Sequence, residues 1–257
     1  MDEDLFDLSG RTALVTGASR GIGRALAEGL AKYSADLALV ARSEDQLLAA
    51  KQQISTLTGR RVWIFPADLS RLDSIQDLFE QVIDKVGSVD ILVNAAGTTI
   101  RRPSEQLQPA DLEAVMAVNL NAPLLLSQAL FRHCKDRGRP GRIINVASLL
   151  FHAARPTIAA YTASKMALVG LTRTLAVEWA CHRINVNAIA PGYIRTDLTL
   201  GLQRDPEFDR WVISNTPLGR WGLPSDLIGT AVLLASRAGE FITGQVLFVD
   251  GGWSAML

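Results

Sequence analysis

Short apolar, mostly β-branched runs alternate with stretches of helical spacing along the whole chain, and this alternation restricts the fold more than any single motif. "RTALVTG" (11–17), "DLALVAR" (36–42), "RVWIFPAD" (61–68), "VDILVNAAG" (89–97), "GRIINVAS" (141–148), "RINVNAIAPG" (183–192) and "QVLFVDGG" (245–252) read as strands with almost wholly apolar interiors. Between them, residues 23–34, 43–56, 72–87, 109–134, about 157–180 and 224–236 carry helical spacing. Ser43 is placed to cap one helix, Gly87 to stop another, and Pro224 to open a third. Strands buried on both faces and separated by helices imply a parallel sheet with helices on each side. The expected architecture is one α/β domain over residues 1–257, a doubly wound parallel sheet of about seven strands. Residues 195–223, rich in Pro, Asp, Trp and Arg, interrupt the alternation. An insertion of that length in a compact domain is expected to be functional, here a substrate lid carrying Leu198, Trp211 and Trp221.

Bulk properties exclude several classes of function. Lys plus Arg and Asp plus Glu number 26 each, so no net charge attracts nucleic acid or an anionic membrane. Cys134 and Cys181 stand in helical surroundings without a Cys/His cluster, which points to reduced packing thiols and to no metal site. The N-terminal "MDEDLFDLSG" is acidic and is not a signal peptide. No apolar stretch long enough to span a bilayer is expected, and a soluble cytoplasmic protein follows.

Two motifs carry chemistry. "TGASRGIG" (16–23) joins the first strand to the first helix, with Gly17, Gly21 and Gly23 allowing a tight turn and close approach of backbone to a ligand. The helix that follows offers free N–H groups and a positive dipole end, a site for a pyrophosphate. Its spacing differs from G-x-G-x-x-G and lacks the G-K-[ST] of a P-loop, so alone it is also compatible with a plain glycine-rich turn. "YTASK" (161–165) sets Tyr161 and Lys165 four apart, on one helical face. A cation there would lower the phenol's pKa and let it exchange a proton near neutrality. Alone, the pair reads more readily as a half-buried tyrosine beside a snorkelling lysine.

Taken in order, "TGASRGIG", "AD" (67–68), "NAAG" (94–97), Asn119, Ser148, "YTASK" and "PGYIRT" (191–196) make the chain resemble the short-chain dehydrogenase/reductase family over essentially its whole length. Ser148 stands 13 residues before Tyr161, a normal spacing for that family. The resemblance implies a Rossmann-type fold and an oxidoreductase that interconverts a secondary alcohol and a carbonyl with a nicotinamide coenzyme. It implies Tyr161 as general acid/base and Lys165 as the group that tunes it and binds the nicotinamide ribose. Ser148 would hold the substrate oxygen, and Asn119 would support a proton-relaying water. The implied coenzyme contacts are Gly17, Ser19, Arg20, Gly21, Ile22, Gly23, Asp68, Leu69, Asn94, Ala95, Ala96, Gly97, Pro191, Gly192, Ile194 and Thr196, with Tyr161 and Lys165. Ala95 stands where the family more often has Asn.

"IRR" (100–102), "TPLGRWGLPSDLIG" (216–229) and "GQVLFVDGGW" (244–253) look like the sugar-acid group of the family: gluconate 5-dehydrogenases and the related 2-dehydro-3-deoxygluconate and 2-deoxygluconate dehydrogenases. Arg101, Arg102 and Arg155 flank the expected cleft, and Arg101 and Arg155 with Ser148 and Leu150 are the candidate substrate residues. A 3-oxoacyl carrier-protein reductase or another ketone reductase is the alternative. The second strand ends "LVARSE", with Ala41 where an acid would bind the adenosine ribose; Arg42 and Ser43 suit a 2′-phosphate instead. NADP(H) is therefore expected over NAD(H). The resemblance also implies a homotetramer, with the helix at 162–180 and the C-terminal "VDGGWSAML" as interface pieces.

Overall fold

The computed structural model describes residues 4–256, so residues 1–3 and 257 of the expected domain lie outside the described residues. Seven strands, β1 (Thr12–Thr16), β2 (Asp36–Ala41), β3 (Val62–Pro66), β4 (Ile91–Asn94), β5 (Gly141–Val146), β6 (Ile184–Pro191) and β7 (Val246–Val249), form one sheet. Its order is β3-β2-β1-β4-β5-β6-β7, and every pair is parallel.

Strand alternation divides the core in two. Ala13 and Val15 of β1 point to one side, where Leu26, Leu30, Leu47, Ile54 and Val232 pack; these belong to α1 (Gly21–Lys32), α2 (Glu44–Thr58) and a late helix at Ile228–Ala235. Leu14 points to the other side, against Leu78, Leu126 and Leu175. Those residues come from α3 (Ile75–Val86), from α5 (Ala122–Asp136), which continues α4 (Pro109–Met116), and from α6 (Ala159–Trp179). Complete burial of a leucine or valine side chain contributes about 1.5–3 kcal/mol. The two-faced apolar runs are therefore both the sequence signal and the main source of stability.

Differences from the expected boundaries have local causes. β4 stops at Asn94 because the Thr16 hydroxyl accepts from the N–H groups of Ala95 and Ala96, at 3.0 and 3.1 Å, and draws them off the ladder. The helix expected at 109–134 holds a π turn at Ala117–Asn121, between α4 and α5. Contrary to expectation, the segment Pro109–Asp136 is by length and composition apolar enough to cross a membrane, at mean hydropathy 1.5. Here its apolar side chains Leu126, Ala129 and Leu130 are in the domain core. Cys134 is buried as expected, whereas Cys181 is exposed, on a turn just past the end of α6.

The insertion at 195–223 is not an extended loop. It folds into α7 (Leu200–Gln203) and α8 (Pro206–Asn215). The helix Ile228–Ala235 is α9. The C-terminal Trp253 packs against the chain's own aromatics, 5.0 Å from Trp211 and 5.1 Å from Tyr193 between ring centroids.

Candidate active site

The sheet order reverses direction between β1 and β4, and ligands of doubly wound folds bind beyond the strand ends at such a point. A cleft of about 860 Å³ opens there. Gly17, Ser19, Arg20, Gly21, Ile22, Gly23, Arg42, Ser43, Asp68, Leu69, Ala95, Ala96, Gly97, Pro191, Gly192, Ile194 and Thr196 line it, together with Ser148, Tyr161 and Lys165. Asn94 does not. It is buried behind the wall, donating its amide to Asn145 Oδ1 at 2.9 Å.

The glycine-rich loop is shaped for an anion. Gly17 has φ +65°, and a Cβ on it would sit 2.9 Å from Ala96. A Cβ on Gly23 would run into the Gly17 carbonyl. The start of α1 has no side-chain cap and no acid in its first turn, so its N–H groups face the cleft with a positive field and no partner from a capping side chain. These residues fit the pyrophosphate of a dinucleotide. Arg20 bridges the mouth of the cleft to Asp197 at 3.1 Å.

At the adenosine end, Arg42 is exposed. Ser43 also caps α2, its hydroxyl accepting from the Gln46 N–H at 3.4 Å. Asp68 accepts from the N–H and the hydroxyl of Ser70 at 3.0 and 2.9 Å. Those bonds, then the charges of Arg42 and Arg71, hold its carboxyl below the usual range.

Tyr161 and Lys165 both reach the cleft from α6, as the helical spacing predicts. Burial pushes the Tyr161 phenol above its ordinary value, opposed by a hydrogen bond with Ser148 and by the charge of Arg101. Lys165 is buried, and burial pulls its ammonium down to about 8. Its Nζ donates to the Val146 carbonyl at 2.6 Å and lies 5.7 Å from the Tyr161 ring centroid. The influences that lower the phenol in this structure are Ser148 and Arg101, and Lys165 is not among them. Ser148 Oγ also accepts from the Leu150 N–H at 3.2 Å. Asn119 sits on the π turn, a device common at functional sites. Its amide is engaged with Thr98 N–H and C=O, at 2.8 and 2.9 Å, and with the Ser164 hydroxyl at 3.0 Å. Asn119 therefore stands behind the cleft rather than on its surface.

A smaller cavity of about 90 Å³ adjoins the cleft at Ser148, Tyr161, Gly192, Leu198 and Thr199. Arg101, Leu150 and Arg155 line it as expected, with Tyr193 and Leu202. Arg102 does not; its guanidinium pairs with Asp111 at 3.2 Å. Trp221 does not line it either. It is buried and donates to Asp209 at 2.8 Å.

The family model described as enoyl-(acyl carrier protein) reductase matches residues 17–254. Gluconate 5-dehydrogenase of Gluconobacter oxydans is 43% identical over 254 residues, covering 99% of this chain and 98% of its own. The 5-keto-D-gluconate 5-reductase of Escherichia coli is 40% identical over 249 residues, covering 97% of each. The chain belongs to the short-chain dehydrogenase/reductase family. The crystal structure of a gluconate 5-dehydrogenase from Burkholderia cenocepacia in complex with NADP and tartrate superimposes with TM-score 0.94 at 39% identity, covering 99% of each chain.

For a short-chain dehydrogenase/reductase, the residue most plainly missed by sequence reading is Tyr193. Its position inside "PGYIRT", just past the end of β6, was the available signal. Burial raises its phenol, opposed by the charge and hydrogen bond of Arg155 and by Arg101. Its ring contacts Phe208, Trp211, Trp221 and Trp253, an aromatic cluster gathered from distant parts of this dehydrogenase chain.

Proposed function

We propose that the protein is an NADP(H)-preferring oxidoreductase that interconverts a secondary alcohol and a carbonyl on a sugar acid of the gluconate type. The observation that carries this reading is the junction of the two cavities at Ser148 and Tyr161. One side of the junction suits a dinucleotide, and the other holds Arg101, which among the described residues has no carboxylate partner. A guanidinium beside the reacting group suits the carboxylate of a sugar acid. Names of the relatives support the same class: a gluconate dehydrogenase, a ketogluconate reductase, and a neighbour crystallised with NADP and tartrate.

The coenzyme, when bound, supplies or takes the hydride. Ser148 holds the substrate oxygen against the Tyr161 phenol, which donates a proton to it during reduction and takes one during oxidation. Burial keeps that phenol protonated near neutrality, the state reduction requires. Lys165, anchored on Val146, presents its remaining N–H donors beside Gly97, where a Cβ would lie 3.9 Å from Nζ. This places them for the nicotinamide ribose. Asn119 orders the Thr98 backbone behind them. Arg42, beside Ala41 instead of an acid, takes the 2′-phosphate. Leu198 and Leu202 bring the 195–223 segment over the smaller cavity as a lid. We read the working form as a cytoplasmic homotetramer; Met166 and Val177, 56% and 82% exposed on α6, offer apolar surface for a subunit contact.

The test is a substrate panel with both coenzymes, followed at the nicotinamide absorbance: gluconate, 5-ketogluconate, 2-deoxygluconate, simple ketones and acyl thioesters. Reduction of 5-ketogluconate with NADPH well above the other substrates is expected. Activity confined to acyl thioesters would establish the carrier-protein reductase instead.

A further inference from the structure

The two arginines of the smaller cavity have different surroundings. Arg101 has no hydrogen bond or ion pair among the described residues, and its pKa is lowered by desolvation and by the charge of Arg155. Arg155 is engaged on two sides. Its guanidinium lies 4.2 Å over the ring of Phe208 in α8, a stacking cation–π geometry. It also faces the Tyr193 phenol, whose pKa its charge lowers against the effect of burial. Phe208 and Tyr193 are themselves in edge contact at 5.7 Å, and Trp211 joins both. Arg155 thus links the segment between Ser148 and Tyr161 to α8, the helix that follows the cavity-lining Leu198 and Leu202.

The segment presenting Arg155 is itself held. The Thr157 carbonyl accepts from the Arg102 N–H at 2.8 Å, and Thr157 has φ +70°. A β-branched residue in that region is strained and persists only where its surroundings fix it. The loop that carries Arg155 is thereby tied, through Thr157, to the loop that carries Arg101 and Arg102, while the Arg155 side chain reaches α8.

We propose that Arg155 is a positioning residue that seats α8, and through it the adjoining Leu198–Leu202 wall of the smaller cavity, and that Arg101 alone confers preference for a carboxylate-bearing substrate. The clause on Arg101 rests on the sugar-acid reading above; the seating of α8 does not.

Hydrogen exchange on the full chain tests the seating without any substrate. In Arg155→Gln and in Phe208→Leu, amides of residues 207–215 are expected to exchange roughly tenfold faster than in the wild type, the loss of one partly buried cation–π contact. The double variant exchanges no faster than Phe208→Leu, and Arg101→Gln leaves the segment unchanged. Wild-type protection of α8 in Arg155→Gln would overturn the proposal. Kinetics on 5-ketogluconate and on a neutral ketohexose test the division of roles. Arg155→Gln raises KM for both by the same factor and leaves KM for NADPH unmoved, whereas Arg101→Gln loses activity on the acid alone. Selective loss on the acid in Arg155→Gln would make Arg155 a carboxylate ligand and sink the assignment. If the wild type turns over no sugar acid, the substrate reading falls, and the exchange result still decides the seating of α8.

Discussion

Lys165 approaches Tyr161 over the ring, with Nζ 5.7 Å from the centroid, while a 2.6 Å hydrogen bond fastens it to the Val146 carbonyl. The phenol is influenced mainly by its own burial and by Ser148 and Arg101. This predicts an asymmetric pH dependence. Oxidation of the alcohol needs phenolate, so its kcat/KM rises with pH and is still rising near pH 10, the ordinary tyrosine value. Reduction needs the protonated phenol and stays flat through neutrality. Ser148→Ala removes an influence that lowers the pKa, so the oxidation limb moves to higher pH; Arg101→Gln moves it the same way by less. Tyr161→Phe lowers kcat by about 10²- to 10⁴-fold and leaves the coenzyme Kd unchanged. An oxidation limb centred near pH 7, or one that Ser148→Ala shifts downward, would refute this ordering.

Burial of Lys165 has a second consequence, for stability. Its ammonium titrates at about 8 in the folded chain, against 10.5 as the ordinary value. Below pH 8 both states hold the proton, and the cost of burying the charge is fully present. As pH rises toward 10.5 the native state releases a proton that the unfolded state keeps, so stability rises. Cys134 acts in the opposite sense above about pH 9, because burial raises its thiol from 9.0 to about 12. The Lys165 contribution is therefore cleanest between pH 8 and 9. Urea midpoints across that interval should rise in the wild type relative to Lys165→Met. Parallel midpoints for the two proteins would show that the ammonium is not desolvated.

The strands were legible because each needs only its own residues to announce burial on both faces, and the Tyr161–Lys165 pairing because four residues make one helical turn. What sequence could not supply depends on distant partners. The end of β4 is set by the Thr16 hydroxyl, and this turns Asn94 toward Asn145 while Ala95 to Gly97 face the cleft. The π turn at Ala117–Asn121 has no periodicity of its own to betray it. Arg155 reads as a free cation until α8 brings Phe208 beneath it. Tyr193 gains meaning only when residues 208, 211, 221 and 253 gather around its ring.

Coenzyme choice should follow Arg42. The strand that ends at Ala41 offers no carboxylate to a ribose diol, and Arg42 stands exposed at that end of the cleft. A charge-assisted contact to phosphate makes Arg42→Ala lose roughly tenfold or more in kcat/KM with NADPH, with NADH nearly unaffected. Ser43→Ala is expected to do two things, because its hydroxyl also caps α2. It weakens NADPH and costs about 1 kcal/mol of stability. Equal kcat/KM for both coenzymes in the wild type would remove Arg42 from this role.

Gly17 offers a test of the phosphate cradle that is independent of charge. Its φ of +65° disfavours any side chain, and a Cβ would stand 2.9 Å from the Ala96 backbone. Gly59 provides the control: it ends α2 with φ +68°, and a Cβ there meets nothing within 4 Å. Gly59→Ala carries the backbone strain alone, about 1 kcal/mol, and leaves coenzyme affinity intact. Gly17→Ala adds a collision with Ala96, which lines the cleft, so it should cost about 1–3 kcal/mol and also weaken NADPH binding at least about tenfold. Calorimetric titration of NADPH into both variants distinguishes the two effects. Equal affinities would mean that the turn at Gly17 does not shape the coenzyme site.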